Sequence, residues 1–172
     1  MNYALLEILG IDVAIGKDEY HDDGFVKSII EHSRELDNFY GYDHKNSDKI
    51  LSQGNIVGAH YHGRNHHHIF YLKPSTNTET VRIRAHEETH VLNSVGKIGI
   101  LEERLSEEQG VKINLLEIDE KEIKAELGAL YALSSRGIST WKLPFHFGND
   151  WSVAKKIYKQ SKIPRKMIFS WL

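Results

Sequence analysis

The sequence predicts an α+β fold in which a small antiparallel sheet is followed by helices. Three observations point to it. Two runs rich in β-branched and aromatic residues, "IVGAHYHG" and "HHHIFYLK", flank "GRN" and read as an antiparallel hairpin. Thr76, followed three residues later by Glu79, forms a capping box that opens a long helical stretch behind the hairpin. Further on, "DEKEIKAELGALYALSSRG" runs through good helix formers to a glycine stop.

The chain has 172 residues, a length suited to one domain spanning 1–172 with a sizeable core. The hydrophobic share of 40% and charged share of 27% fit a water-soluble globular protein. A net charge of -2 exerts no general pull towards nucleic acid or anionic membrane. The absence of cysteine excludes disulfides, thiolate metal sites and cysteine nucleophiles. Near the start, "MNYALLEILGIDVAIG" is interrupted by Glu7 and Asp12, so it reads as neither a signal peptide nor a membrane span. The expected compartment is the cytoplasm, with no membrane or nucleic-acid partner.

In chain order, Phe25, Ile29, Leu36 and Phe39 recur at helical spacing, predicting a helix over 24–39. The polar stretch "DHKNSDKILSQGN" reads as loop, closing an N-terminal helical and loop segment over 1–54. The hairpin begins the core, about 55–135. Pro74 breaks its second strand, and the capped helix then runs from Thr76 towards Gly96. "ILEERLSEEQG" predicts a short helix and "VKINLLEI" a strand. A strong helix follows from about Asp119 to Ser134. Within 136–172, "NDWSVAKKIYKQS" sets Val153, Ala154, Ile157 and Tyr158 on one helical side. The tail from Lys155 mixes six basic residues with apolar ones and reads as a docked helix with a basic outer face.

The chemistry-bearing motif lies on the capped helix. His86, Glu87 and His90 form H-E-x-x-H within "VRIRAHEETHVLNS". Residues i and i+4 share one helical face, so both imidazoles can address one metal ion, while Glu87 reaches a water on that ion without binding it. Arg84 and Glu88 flank the motif and can point to the solvent side. On the later helix Glu126 falls in the same arc as Ile123, Ala129, Leu130 and Leu133. A carboxylate on an apolar face is costly to bury without a cation, which makes Glu126 the preferred third ligand. Glu122, one turn earlier, then orients a ligand histidine; the exchanged assignment, Glu122 as ligand and Glu126 as orienter, rests on the same physics.

"HEETH" with "EIKAELGALYAL" downstream resembles the gluzincin branch of the zincin metallopeptidases, in particular compact intracellular ones such as those that cleave phage-type repressors. The likeness spans roughly 55–135. The metzincin continuation is absent, since Asn93 and Gly96 stand where that family has Gly and His. The cysteine ligand of peptide deformylases is absent too. The resemblance implies a zincin-like fold, a Zn2+ cofactor, a water nucleophile and Glu87 as general base. It further implies a peptide or protein substrate held along an antiparallel edge strand, and a His or Tyr that stabilises the oxyanion. His146 in "PFHFGND" is the candidate for that last role, whereas Tyr131 projects away from the Glu126 face.

There are 11 histidines, several of them on the hairpin. His60 and His62 share one strand face, and His66 and His68 share one face of the neighbour, so a cross-strand set can bind a second metal or line the cleft. The plainer reading is a solvated polar face. His21, Asp22 and Asp23 are metal-competent residues in a segment expected to cover the cleft. Two functions remain open at this point: a zinc-dependent peptidase, or a zincin-like protein that binds metal or a partner without proteolysis. Another divalent ion can also occupy an N/O site of this kind.

Overall fold

In chain order the elements are α1 (Leu5–Ile8), β1 (Ile15–Tyr20), α2 (Phe25–Tyr40), α3 (Lys45–Leu51), β2 (Gly58–His62), β3 (His67–Leu72), α4 (Asn77–Ser94), α5 (Ile98–Gln109), α6 (Lys121–Ser135) and α7 (Gly148–Ser161). The computed structural model describes residues 5–20, 24–52, 56–63, 67–72, 76–140 and 148–162. Among them no helix is long and apolar enough to cross a membrane.

The fold is α+β and mostly helical, but its sheet is mixed rather than antiparallel. The hairpin pairs as expected, with Gly58 opposite Tyr71 and His62 opposite His67. A third strand, β1, lies parallel to β3 on the other side, giving the order β1-β3-β2. Its sequence, "IGKDEY", has no apolar alternation and carries no local strand signal. Its conformation comes from pairing with β3. The long excursion through α2, α3 and β2 satisfies the need of parallel neighbours for a crossover.

β3 is central, so both of its faces are covered. Ile69 and Tyr71 join the main core with α1, α4, α5, α6 and α7. Phe70 and Leu72 turn to a smaller cluster with Phe25, Ile29 and Tyr61 beneath α2. In that smaller layer Asp37 is fully buried on α2. It accepts bonds from the Ser47 backbone N–H (3.1 Å), the Asn46 amide (3.2 Å) and the Tyr61 hydroxyl (2.9 Å). This explains why the stretch expected to be loop contains α3. A carboxylate from α2 binds the first-turn donors of the short helix, a partner that lies outside the local sequence.

α4 starts as expected, with Thr76 Oγ1 accepting the Glu79 N–H at 3.2 Å. It ends ahead of Gly96, whose φ of +69° is ready for a glycine and strained for other residues. The sheet packs on one side of α4 and α6 on the other, so residues around much of its circumference are buried. One of them is Glu88, fully buried rather than solvent-facing. Lys17 Nζ on β1 lies 2.8 Å from Glu88 Oε1, and the Leu6 N–H donates to Oε2. Arg84 likewise turns inward, its guanidinium 5.5 Å from the centre of the Tyr71 ring.

The expected strand over "VKINLLEI" is a single bridge, Val111 to Lys162, followed by a 3-10 turn at Leu115–Glu117. Glu102 accepts the Leu115 N–H at 2.7 Å and holds the segment off the sheet. α7 buries Trp151, Ala154, Lys155 and Tyr158, while Val153 lies at the surface. The helical face is therefore turned towards Trp151 relative to the expectation.

Where α6 crosses α4, a Cβ on Gly128 would overlap the Thr89 hydroxyl, which is buried and donates to the Ala85 carbonyl at 2.7 Å. Gly128→Ala gains about 1 kcal/mol of helix propensity but overpacks this crossing at a cost of about 1–3 kcal/mol. The expected result in urea unfolding is a net loss in the wild-type background and a neutral or favourable change in a Thr89→Ala background. A second expectation concerns pH. Burial tends to raise the proton affinity of Asp37, but its three donors outweigh this and hold its pKa below the ordinary carboxylate value of 3.8. Its stabilisation is then present above that value and lost as pH falls through the depressed one. The stability gap between wild type and Asp37→Asn, about 1.5–3 kcal/mol near neutrality, should shrink as acid is added.

Candidate metal centre

α4 and α6 run antiparallel, and each presents a stripe of polar residues four apart to the other. On α4 these are Arg82, His86 and His90; on α6 they are Glu122 and Glu126. The contacts form a ladder. Arg82 bonds Glu126, His86 meets both carboxylates, and His90 faces Glu122.

At the open end, His86 Nε2 and His90 Nε2 are 3.3 Å apart. Glu122 places one carboxylate oxygen 3.1 Å from His86 Nε2 and the other 3.6 Å from His90 Nε2. A tetrahedral ion with bonds of about 2.0–2.1 Å sets its ligand atoms about 3.3–3.4 Å apart. The three side chains therefore form a group that can hold a metal ion. Glu122 sits in the first turn of α6, where a carboxylate is favoured by the helix dipole, and its side chain is 54% exposed. Access from solvent is open.

At the closed end, Glu126 is 2% exposed. Its Oε1 contacts the Arg82 guanidinium and lies 3.3 Å from His86 Nδ1. Arg82 in turn sits 5.0 Å from the centre of the buried Trp151 ring. The reasoning that a buried carboxylate needs a cation thus holds, but the cation is Arg82. The group that can hold a metal uses Glu122, the exchanged assignment, since Glu122 joins the two imidazoles and Glu126 backs His86 from its other nitrogen. Among the described residues Glu126 Oε2 is buried without a hydrogen-bond partner, which keeps that carboxylate as the second choice. Neither Arg82 nor Trp151 was singled out from sequence. The i, i+4, i+8 spacing of Arg82 with the two histidines was the available signal.

Electrostatics follow from this arrangement. Burial disfavours the charged form of His86, but the bonds to Glu122 and Glu126 prevail and push its pKa up to about 10. Glu122, hydrogen-bonded by His86 and His90, is held well below the usual carboxylate range. Glu87 moves the other way: burial raises its pKa, against the lowering influence of His86 and His90. Its carboxylate lies against β2, where a Cβ on Gly58 would be 2.6 Å from Glu87 Oε1. Glycine at that position leaves room for the carboxylate.

The hairpin faces the same region with a different set of histidines from the expected one. Register puts His67, not His68, on the face shared by His60 and His62. His68 lies on the opposite face, its ring 5.6 Å from that of His32 on α2. The His60 ring is parallel to His90 at 6.4 Å. Burial, followed by the charges of His67, His90, His62 and Lys49, lowers the His60 pKa to about 3. Tyr131 donates to Glu108 at 2.7 Å, on the side away from Glu126. His146, His66, His21, Asp22 and Asp23 lie outside the described residues. No protein-family model, curated protein or solved structure matches the chain.

The ladder has a measurable signature. Arg82→Leu leaves Glu126 buried without its cation and should cost about 3–5 kcal/mol in urea unfolding. Arg82→Leu combined with Glu126→Leu removes both charges and should cost clearly less than the single change. A double-mutant loss equal to the sum of the Arg82→Leu and Glu126→Leu losses would show that the pair is not coupled.

Proposed function

We propose that the protein is a zinc-dependent peptidase of the zincin kind, with His86, His90 and Glu122 as metal ligands and Glu87 as general base. The observation that carries this reading is the approach, at 3.1–3.6 Å, of the His86 and His90 Nε2 atoms and the Glu122 carboxylate, with Glu87 on the same helix as the two histidines. Two imidazoles and a carboxylate suit zinc in an open catalytic site. When bound, zinc supplies a water of lowered pKa and polarises the substrate carbonyl.

The remaining work falls to the chain. Glu126, itself held by Arg82, accepts from His86 Nδ1 and leaves Nε2 directed at the ligand group. Burial gives Glu87 a raised proton affinity, suited to taking a proton from water and passing it to the leaving amine. Within the described sheet β2 is an edge strand beside α4, and its backbone can pair with an extended peptide. The proposed substrate is therefore a peptide or an extended protein segment.

Elemental analysis of untagged protein is expected to find zinc near one equivalent after low-zinc equilibration. Glu122→Ala should abolish it, while Glu126→Ala should keep it with affinity weakened about 10–100-fold. Glu87→Gln should retain the metal and lose about 10²–10⁴-fold in cleavage of a peptide library. A wild type that takes up no zinc sinks the proposal. Zinc uptake with no Glu87-dependent cleavage favours the alternative, a metal-binding or partner-binding protein without proteolysis.

A further inference from the structure

Among the described residues, a second set of histidines outside the α4–α6 group stands on the hairpin. His60 and His62 stand two residues apart on β2 and so on one face. His67 lies directly opposite His62 on β3. The result is a triangle of imidazoles from adjacent strands. Its ring centres are 6.0 Å apart for His60 and His62, 5.2 Å for His60 and His67, and 4.9 Å for His62 and His67. His60 Nε2 is 3.0 Å from His67 Nδ1.

This contact has two chemical meanings. With one nitrogen protonated it is a hydrogen bond between neutral rings. With a metal ion between them, two nitrogens at about 2.0–2.1 Å from the ion stand about 3.3–3.4 Å apart, so the existing separation needs to open by only a few tenths of an ångström. His62, on the same face, would turn its ring to bring a third nitrogen to this pair. The triangle also grades from inside to outside: His67 is 6% exposed, His60 half-buried and His62 exposed. An inner pair is thus anchored by the sheet, and an outer ring at the rim can turn. An all-nitrogen set favours imidazole-loving transition metals over calcium or magnesium.

We propose that the hairpin is a second divalent transition-metal site, of the class that takes zinc, with His60 Nε2 and His67 Nδ1 as the inner ligands and His62 as the outer one. It uses none of the side chains of the α4–α6 group. His60 and His90 are nevertheless stacked in parallel, so the two ions would be close neighbours and their charges would repel. The hairpin site is accordingly the weaker one. It sits on the strand edge assigned above to the substrate, so its occupancy would obstruct peptide binding if the peptidase reading is correct. The site itself does not depend on that reading.

The test uses untagged full chain, stripped with chelator and titrated with Zn2+ alone and with Co2+ as a spectroscopic probe. Wild type is expected to bind two equivalents, the second more weakly. His86→Gln/His90→Gln should retain one equivalent, which must come from the hairpin. His60→Gln and His67→Gln should each weaken the second equivalent at least about tenfold. His62→Ala, at an exposed position that does not endanger folding, should weaken it about tenfold and alter the Co2+ spectrum. A single equivalent lost in His86→Gln/His90→Gln overturns the hairpin site and leaves the α4–α6 site standing. A single equivalent lost in His62→Ala supports the hairpin site and removes the other. Two equivalents insensitive to all three hairpin substitutions also overturn it.

Discussion

The structure depends on the close approach of two helices. α6 can lie against α4 because Gly128 has no side chain at the crossing, where Thr89 has already turned its hydroxyl back to its own helix. Interior packing is dense enough that one methyl group at such a point changes the separation of the elements. That separation decides whether Glu122 reaches the imidazoles of His86 and His90. A steric fact at the middle of α6 therefore bears on the geometry at its N-terminal end.

Close packing on several sides leaves α4 as a helix whose charged residues cannot escape to water. Each is answered from a different element. Glu88 meets Lys17 on β1 and the Leu6 N–H on α1. Arg82 meets Glu126 on α6 and the Trp151 ring on α7. Unpaired, either charge would be strongly destabilising in such surroundings. These pairings tie the sheet, α6 and α7 to one helix and set the rotation of α4 about its axis. Glu87 is the contrasting case. It is buried beside Gly58, and burial raises its proton affinity.

A histidine layer covers the region between β2 and α4. His60, His62 and His67 come from the sheet and His86 and His90 from the helix, with His60 and His90 stacked across the junction. The two groups differ in what surrounds them. The helix pair has two carboxylates, which favour a bound cation or proton. The strand triangle is buried at His60, and that burial, more than the charges around it, lowers the His60 pKa. One residue type thus serves in two electrostatic settings a few ångströms apart.

Much of this was legible in local sequence. The capping box at Thr76 and Glu79, the i, i+4 pair of histidines and the hairpin flanking "GRN" depend on neighbours within a few residues, and such signals persist in any fold that keeps the element. Glu126 was also correctly read as a buried carboxylate in need of a cation. Which cation it meets could not be read, because Arg82 lies 44 positions away and comes into range only when α6 docks on α4. β1 was illegible for the same reason, since its strand conformation rests on pairing with β3. α3 was read as loop because its first-turn partner is Asp37 on another helix. The sequence by itself determined the elements and the chemical inventory: two imidazoles on one helical face, carboxylates on a second helix, and no thiol. Only the tertiary structure decided which carboxylate faces both imidazoles and which histidine of the hairpin turns inward. Those choices depend on helix separation, strand register and long-range charge pairing, none of which a periodic pattern encodes.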